Sequence, residues 1–175
     1  LLGRRFVKCL NVLLLHTDES SPKQALELLD IAENQRALDF FVFQGVLNVL
    51  RKFRAYAVPM VSVLKKMEKY AQEHVIEVRS DILHVEVINA LGRLKSVDAA
   101  RTAVQILRDM KARTSSNAFL GVLQALSNVG SQKALAVVSA CYAQAKSNNR
   151  LDLLQLPTHS LILSICSKSD CHSST

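Results

Sequence analysis

The sequence predicts an all-α protein, an α-solenoid of about four helical hairpins plus a terminal half-repeat. Three observations predict it. Hydrophobic residues make up 49% of the chain, yet it holds only 5 Gly, 3 Pro and no Trp. That composition suits helices and not a glycine-punctuated, aromatic-rich sandwich. A five-residue helix core recurs as Cys9-Leu10-Asn11-Val12-Leu13, Val46-Leu47-Asn48-Val49-Leu50, Val87-Ile88-Asn89-Ala90-Leu91 and Val122-Leu123-Gln124-Ala125-Leu126, and less completely as Leu161-Ile162-Leu163-Ser164-Ile165. Its starts are 37, 41, 35 and 39 residues apart, the range of stacked helical-hairpin arrays.

Each hairpin follows from local signals. The first, over about residues 6–33, turns through the polar stretch His16 to Ser20. Ser21-Pro22-Lys23-Gln24 then reads as a capping box with Pro at the first helical position, and Ala25, Leu28, Leu29 and Ala32 form the buried stripe. The second hairpin, about 41–73, opens its second helix at Val58-Pro59, with Val61, Leu64, Met67 and Ala71 inward. Lys65, Lys66, Glu68, Lys69 and Glu73 face outward. The third, about 82–113, breaks at Leu94-Lys95-Ser96-Val97 between two amphipathic helices. Val85, Ile88 and Leu91 line one, and Ala100, Ala103, Val104, Leu107 and Met110 line the other. A break this short makes the helices antiparallel. In the fourth, about 117–145, Gly130 ends the first helix and Ser131 caps the second, which buries Leu135, Val138 and Cys141 or Tyr142. The half-repeat spans about 158–167, and the tail 168–175 has no periodicity and is expected to fray. The fifth motif lacks its partner helix, so it is either a C-terminal cap or, as expected for a piece of a longer chain, the start of a further repeat.

Several functions are disfavoured. No apolar run approaches the ~20 residues of a membrane span. Cys9, Cys141, Cys166 and Cys171 contain no Cys-x-x-Cys pair, and the first three sit in apolar helix patterns, as buried free thiols do. The five glycines are scattered, the histidines show no metal-binding spacing, and His84 and Glu86 project to different sides of a helix. Neither an enzyme nor a cofactor or metal site is expected. The chain begins at Leu1 without Met, and Arg4-Arg5 reads either as a remnant downstream of an organelle transit sequence or, the reading with more weight, as an ordinary basic helix start.

The repeat layout resembles the pentatricopeptide family of organelle RNA-binding proteins. Asn89-Ala90-Leu91, Asp98-Ala99-Ala100 and Ile106-Leu107-Arg108-Asp109-Met110-Lys111 are the closest match. The average spacing of 38 is similar to that of octotricopeptide and heptatricopeptide repeats. The resemblance covers residues 6–167 and implies that the first helices line an RNA groove. The residue two before each motif would read a base: Val7, Gln44, Val85, Leu120 and His159. Only Gln44 and His159 offer hydrogen bonds to a base edge there, so the resemblance implies a grip on backbone more than a base code.

One turn further along the same face lie Asn11, Asn48, Asn89 and Gln124, and another turn on come Arg51 or Lys52, Arg93 and Asn128. This amide ladder beside a cationic one either holds phosphates or packs against neighbouring backbone. The candidate RNA-binding set is Gln44, Asn48, Arg51, Lys52, Asn89, Arg93, Gln124, Asn128 and His159. Net charge is −1 over residues 1–35, +6 over 36–113 and +2 over 114–175, centring the basic surface on the second and third repeats. The expectation is a mitochondrial or other organellar matrix protein that binds single-stranded or structural RNA. A structural component of the mitochondrial ribosome, within a large ribonucleoprotein, fits that expectation. The alternative is a protein-binding scaffold, because Val7, Val85 and Leu120 would line the same groove.

Overall fold

The computed structural model describes residues 2–16, 18–76, 81–110, 115–129, 132–147, 149–153 and 156–170. Among them are nine α-helices and no strand. These are α1 (Leu2–Leu15), α2 (Ser21–Asn34), α3 (Phe40–Leu50), α4 (Ala57–Glu73), α5 (Ile82–Gly92), α6 (Val97–Met110), α7 (Ser116–Val129), α8 (Gln132–Ser147) and α9 (Leu156–Asp170). Short 3₁₀ turns precede α4 at Arg54–Tyr56 and α9 at Leu151–Leu153. No helix among the described residues is long and apolar enough to cross a membrane. The chain forms two compact units, Leu1–Arg79 and Ser80–Thr175.

In the first unit, α1 packs on α2 and on α3, and α3 packs on both α2 and α4. The start of α2 differs from the expected capping box. Asp18 Oδ1 accepts the N–H groups of Ser20 (2.8 Å) and Ser21 (2.9 Å), so the helix begins one residue earlier, with Ser20 as its cap residue. Gln24 Nε2 donates back to Ser20 Oγ at 2.9 Å. These hydrogen bonds, those of Ser20 foremost, hold the Asp18 carboxyl below its usual range. Asp39 caps α3 in the ordinary way, accepting Val42 N–H at 2.9 Å from an extended backbone. Along α4 the buried stripe is Met60, Val63, Leu64, Met67 and Ala71. Val61, expected inward, is only half-buried, because it lies about 100° round the helix from Met60, at the margin of that stripe.

In the second unit α5 packs on α6 and α7, α6 on α7, α7 on α8 and α9, and α8 on α9. The stripe of α6 is buried as expected. In α5 the burial is wider than one stripe, taking in Leu83, His84, Val87 and Ala90 besides Ile88 and Leu91, while Val85 is half-buried. Ser115 caps α7 by accepting Ala118 N–H at 3.2 Å. The expected helix end at Gly130 and cap at Ser131 lie outside the described residues. The helix α9 runs to Asp170, so Lys168, Ser169 and Asp170, expected to fray, are helical.

One end geometry closes α2, α4 and α8. Arg36 (φ 52°), Val75 (φ 53°) and Asn149 (φ 55°) each adopt the left-handed conformation just past the helix. The next N–H then reaches back to the fifth residue before it: Ala37 to Ala32 O (2.8 Å), Ile76 to Ala71 O (2.8 Å) and Arg150 to Ala145 O (2.9 Å). This is the Schellman closure, which satisfies the last carbonyls of a helix. Each accepting residue is a buried alanine.

Candidate nucleic-acid interface

The recurring motif is buried in one way in α3, α5 and α7. Its first, second, fourth and fifth residues are at most 5% exposed in all three helices. At 100° per residue these four span one arc of the helix, and the third residue points away from the centre of that arc. The third residues are the amides. Asn89 and Gln124 are exposed and Asn48 is half-buried. They lie outside the four-residue buried arc, and Asn89 Oδ1 at the same time rests against α7 at Gly121. In α1 the pattern is looser, with Cys9 and Val12 exposed as well as Asn11, so Cys9 is a free exposed thiol rather than a core residue. Cys141 is buried, and that burial raises its thiol pKa.

The residue two beyond the motif does something else. Lys52 Nζ donates to Leu14 O, at the end of α1, at 2.9 Å. Asn128 Nδ2 donates to Gly92 O, at the end of α5, also at 2.9 Å. Donors and acceptors occupy the same motif positions in both cases: a side chain two beyond the motif bonds the carbonyl one beyond the preceding motif. Each bond satisfies a terminal carbonyl of the neighbouring helix, and the Lys52 charge also favours the negative end of α1. These two candidate residues therefore have an architectural partner.

The residue just before the motif completes this contact. It is Gly45 in α3 and Gly121 in α7. A Cβ on Gly45 would lie 2.9 Å from Leu10 Cδ1, and one on Gly121 would lie 2.6 Å from Asn89 Oδ1 and 3.0 Å from Ile88 Cγ2. Glycine is what lets α3 approach α1, and α7 approach α5, this closely.

The remaining candidates divide by unit. In the first, Gln44 and Asn48 lie one turn apart on α3, half-buried, with Arg51 at its C-terminal cap. In the second, Val85, Asn89 and Arg93 follow one another along α5, and Leu120, Gln124 and Asn128 along α7. Gln124 Nε2 donates to Asn128 Oδ1 at 3.3 Å. His159, exposed on α9, meets the ring of Tyr142 edge-on at 6.1 Å. Val7, Gln44, Val85 and Leu120, the other positions two before the motif, are all half-buried.

Three cations on the second helices are engaged with carboxylates. Lys66 Nζ lies 2.7 Å from Glu33 and 3.8 Å from Asp30, and the Glu33 hydrogen bond holds its ammonium pKa above the usual range. Lys69 pairs with Glu73 and Arg101 with Asp98. Arg93, exposed at the end of α5, has no ion pair among the described residues. Nor do the described residues contain a cluster of side chains fit to hold a metal ion.

No family model matches the chain, and no curated protein or solved structure does.

Proposed function

We propose that this chain is an RNA-binding α-solenoid that grips RNA through the open faces of the first helices in each of its two units. The observation that carries the reading is the outward position of the motif amides, with Arg93 one turn beyond Asn89 and free of carboxylates among the described residues. Carboxamides donate and accept, so they suit sugar and phosphate oxygens as well as base edges, while an unpaired guanidinium adds the phosphate attraction. The second-helix cations Lys66, Lys69 and Arg101 are neutralised by their own carboxylates, which weighs against binding on that side. The packing arrangement shared by Gly45 and Lys52 with Gly121 and Asn128 supports treating the hairpins as repeats of one design. Organellar RNA metabolism, with a ribosomal assembly as one setting, follows from the pentatricopeptide resemblance alone.

Replacing Arg51, Lys52 and Arg93 by Glu tests the reading. Fluorescence anisotropy with a labelled 20-nucleotide single-stranded RNA should show binding weakened at least tenfold. The slope of log affinity against log salt should fall by about 0.7 for each phosphate that the protein no longer neutralises. Circular dichroism must first show the variant helical, because Lys52 also bonds Leu14 O. Unchanged affinity in a folded variant sinks the proposal.

A protein-binding scaffold is the second reading, favoured by half-buried Val7, Val85 and Leu120 on the same face. Sedimentation of the protein from its source separates the two: a large particle that ribonuclease dissolves supports RNA, and one that ribonuclease leaves intact supports a protein partner.

A further inference from the structure

Glycine performs different work at the two equivalent positions. At Gly45 the space a Cβ would need is filled by Leu10, whose Cδ1 and Cβ would stand 2.9 Å and 3.2 Å away. That is one apolar side chain locked against another helix. At Gly121 the nearest atom is instead Asn89 Oδ1, at 2.6 Å, followed by Ile88 Cγ2 at 3.0 Å. The carboxamide of an exposed residue on α5 thus lies over the bare Cα of a buried residue on α7. Asn89 has no side-chain hydrogen bond among the described residues, so packing against that glycine is what restrains it.

We propose that Gly121 is a positioning residue for Asn89, seating its carboxamide where it meets RNA. The proposal rests on the RNA-binding reading above. An exposed amide free to turn loses rotamer entropy when a ligand fixes it, and a seat reduces that loss. A methyl group at residue 121 would remove the seat. It would displace the free end of the Asn89 side chain and also press on Ile88 Cγ2, which must give by a few tenths of an ångström. Stability is therefore read separately from RNA affinity.

The test is a double-mutant cycle of Gly121→Ala and Asn89→Ala, read by anisotropy with a labelled 12-nucleotide single-stranded RNA of mixed sequence. Thermal unfolding is followed in parallel. Each single variant is expected to weaken binding about three- to tenfold, the scale of one hydrogen bond. The double variant should bind no more weakly than Asn89→Ala alone. Gly121→Ala should lower Tm by a few degrees, on the order of 1 kcal/mol, and still fold. Effects that add in the double variant would overturn the positioning role and leave RNA binding intact. So would a Gly121→Ala protein that binds as the wild type does while Asn89→Ala is impaired, or one that fails to fold. Wild-type protein that does not bind the RNA at all overturns both readings, and the cycle shows that before any variant is compared.

Discussion

Val75 is the residue at which the fold is most visibly under local strain. It is β-branched, 92% exposed, and sits at φ 53° in the closure of α4. A branched Cβ crowds the carbonyl in that conformation, whereas glycine enters it freely. Asn149 holds the same place after α8 at smaller cost, since asparagine tolerates the left-handed region. Val75→Gly should therefore stabilise the protein by about 1 kcal/mol, the relief of strain exceeding the added freedom of the unfolded chain. Denaturant titration checks it, as a higher midpoint at unchanged slope. The sequence carried a signal for only one of these closures, Asn149, because Arg36 and Val75 are neither glycine nor asparagine and the motif there shows itself only in the backbone. The start of α2 was misjudged by one residue for a related reason. Asp18, four residues before Pro22, captures two N–H groups that a Ser21 cap would have left to other partners.

At the scale of elements, the packing of successive first helices is the unit of construction within each half of the chain. It combines a glycine before the motif with a side-chain donor after it. Lys52→Met and Asn128→Ala should each cost about 1 kcal/mol, the usual net worth of such a bond. Gly45→Ala should cost more, about 1–3 kcal/mol, because Leu10 Cβ cannot move without its helix. Equilibrium unfolding of the three variants tests that order, and Gly45→Ala proving the mildest would refute it. The motif itself was legible from apolar residues at fixed spacing, and helical periodicity gave the stripe of α6 and that of α2 except for Leu28, which is half-buried. The division of the polar ladder was not. Sequence put Asn48, Lys52, Asn89 and Asn128 on one face, but which of them meets a neighbouring carbonyl depends on how far one helix slides along the next.

Over the whole molecule the all-helical class could be read from composition and helical periodicity, since helix formation is local. The basic centre could be read too, but not which cations are neutralised. Lys66 finds Glu33 and Asp30 only because α2 and α4 both pack on α3. In α3, α5 and α7 four buried residues surround one outward amide. Spacings of 35 to 41 residues show that turns absorb added length, while the motif permits none, because one extra residue turns everything beyond it by about 100°. An alanine inserted between Ile88 and Asn89 would swing a carboxamide into the core and a core side chain into water. The same alanine between Lys95 and Ser96 would only lengthen a loop. Circular dichroism melts of the two insertions should differ by several degrees. The protein is thus written in a frame of its own, tolerant of slippage between helices and intolerant of it within them.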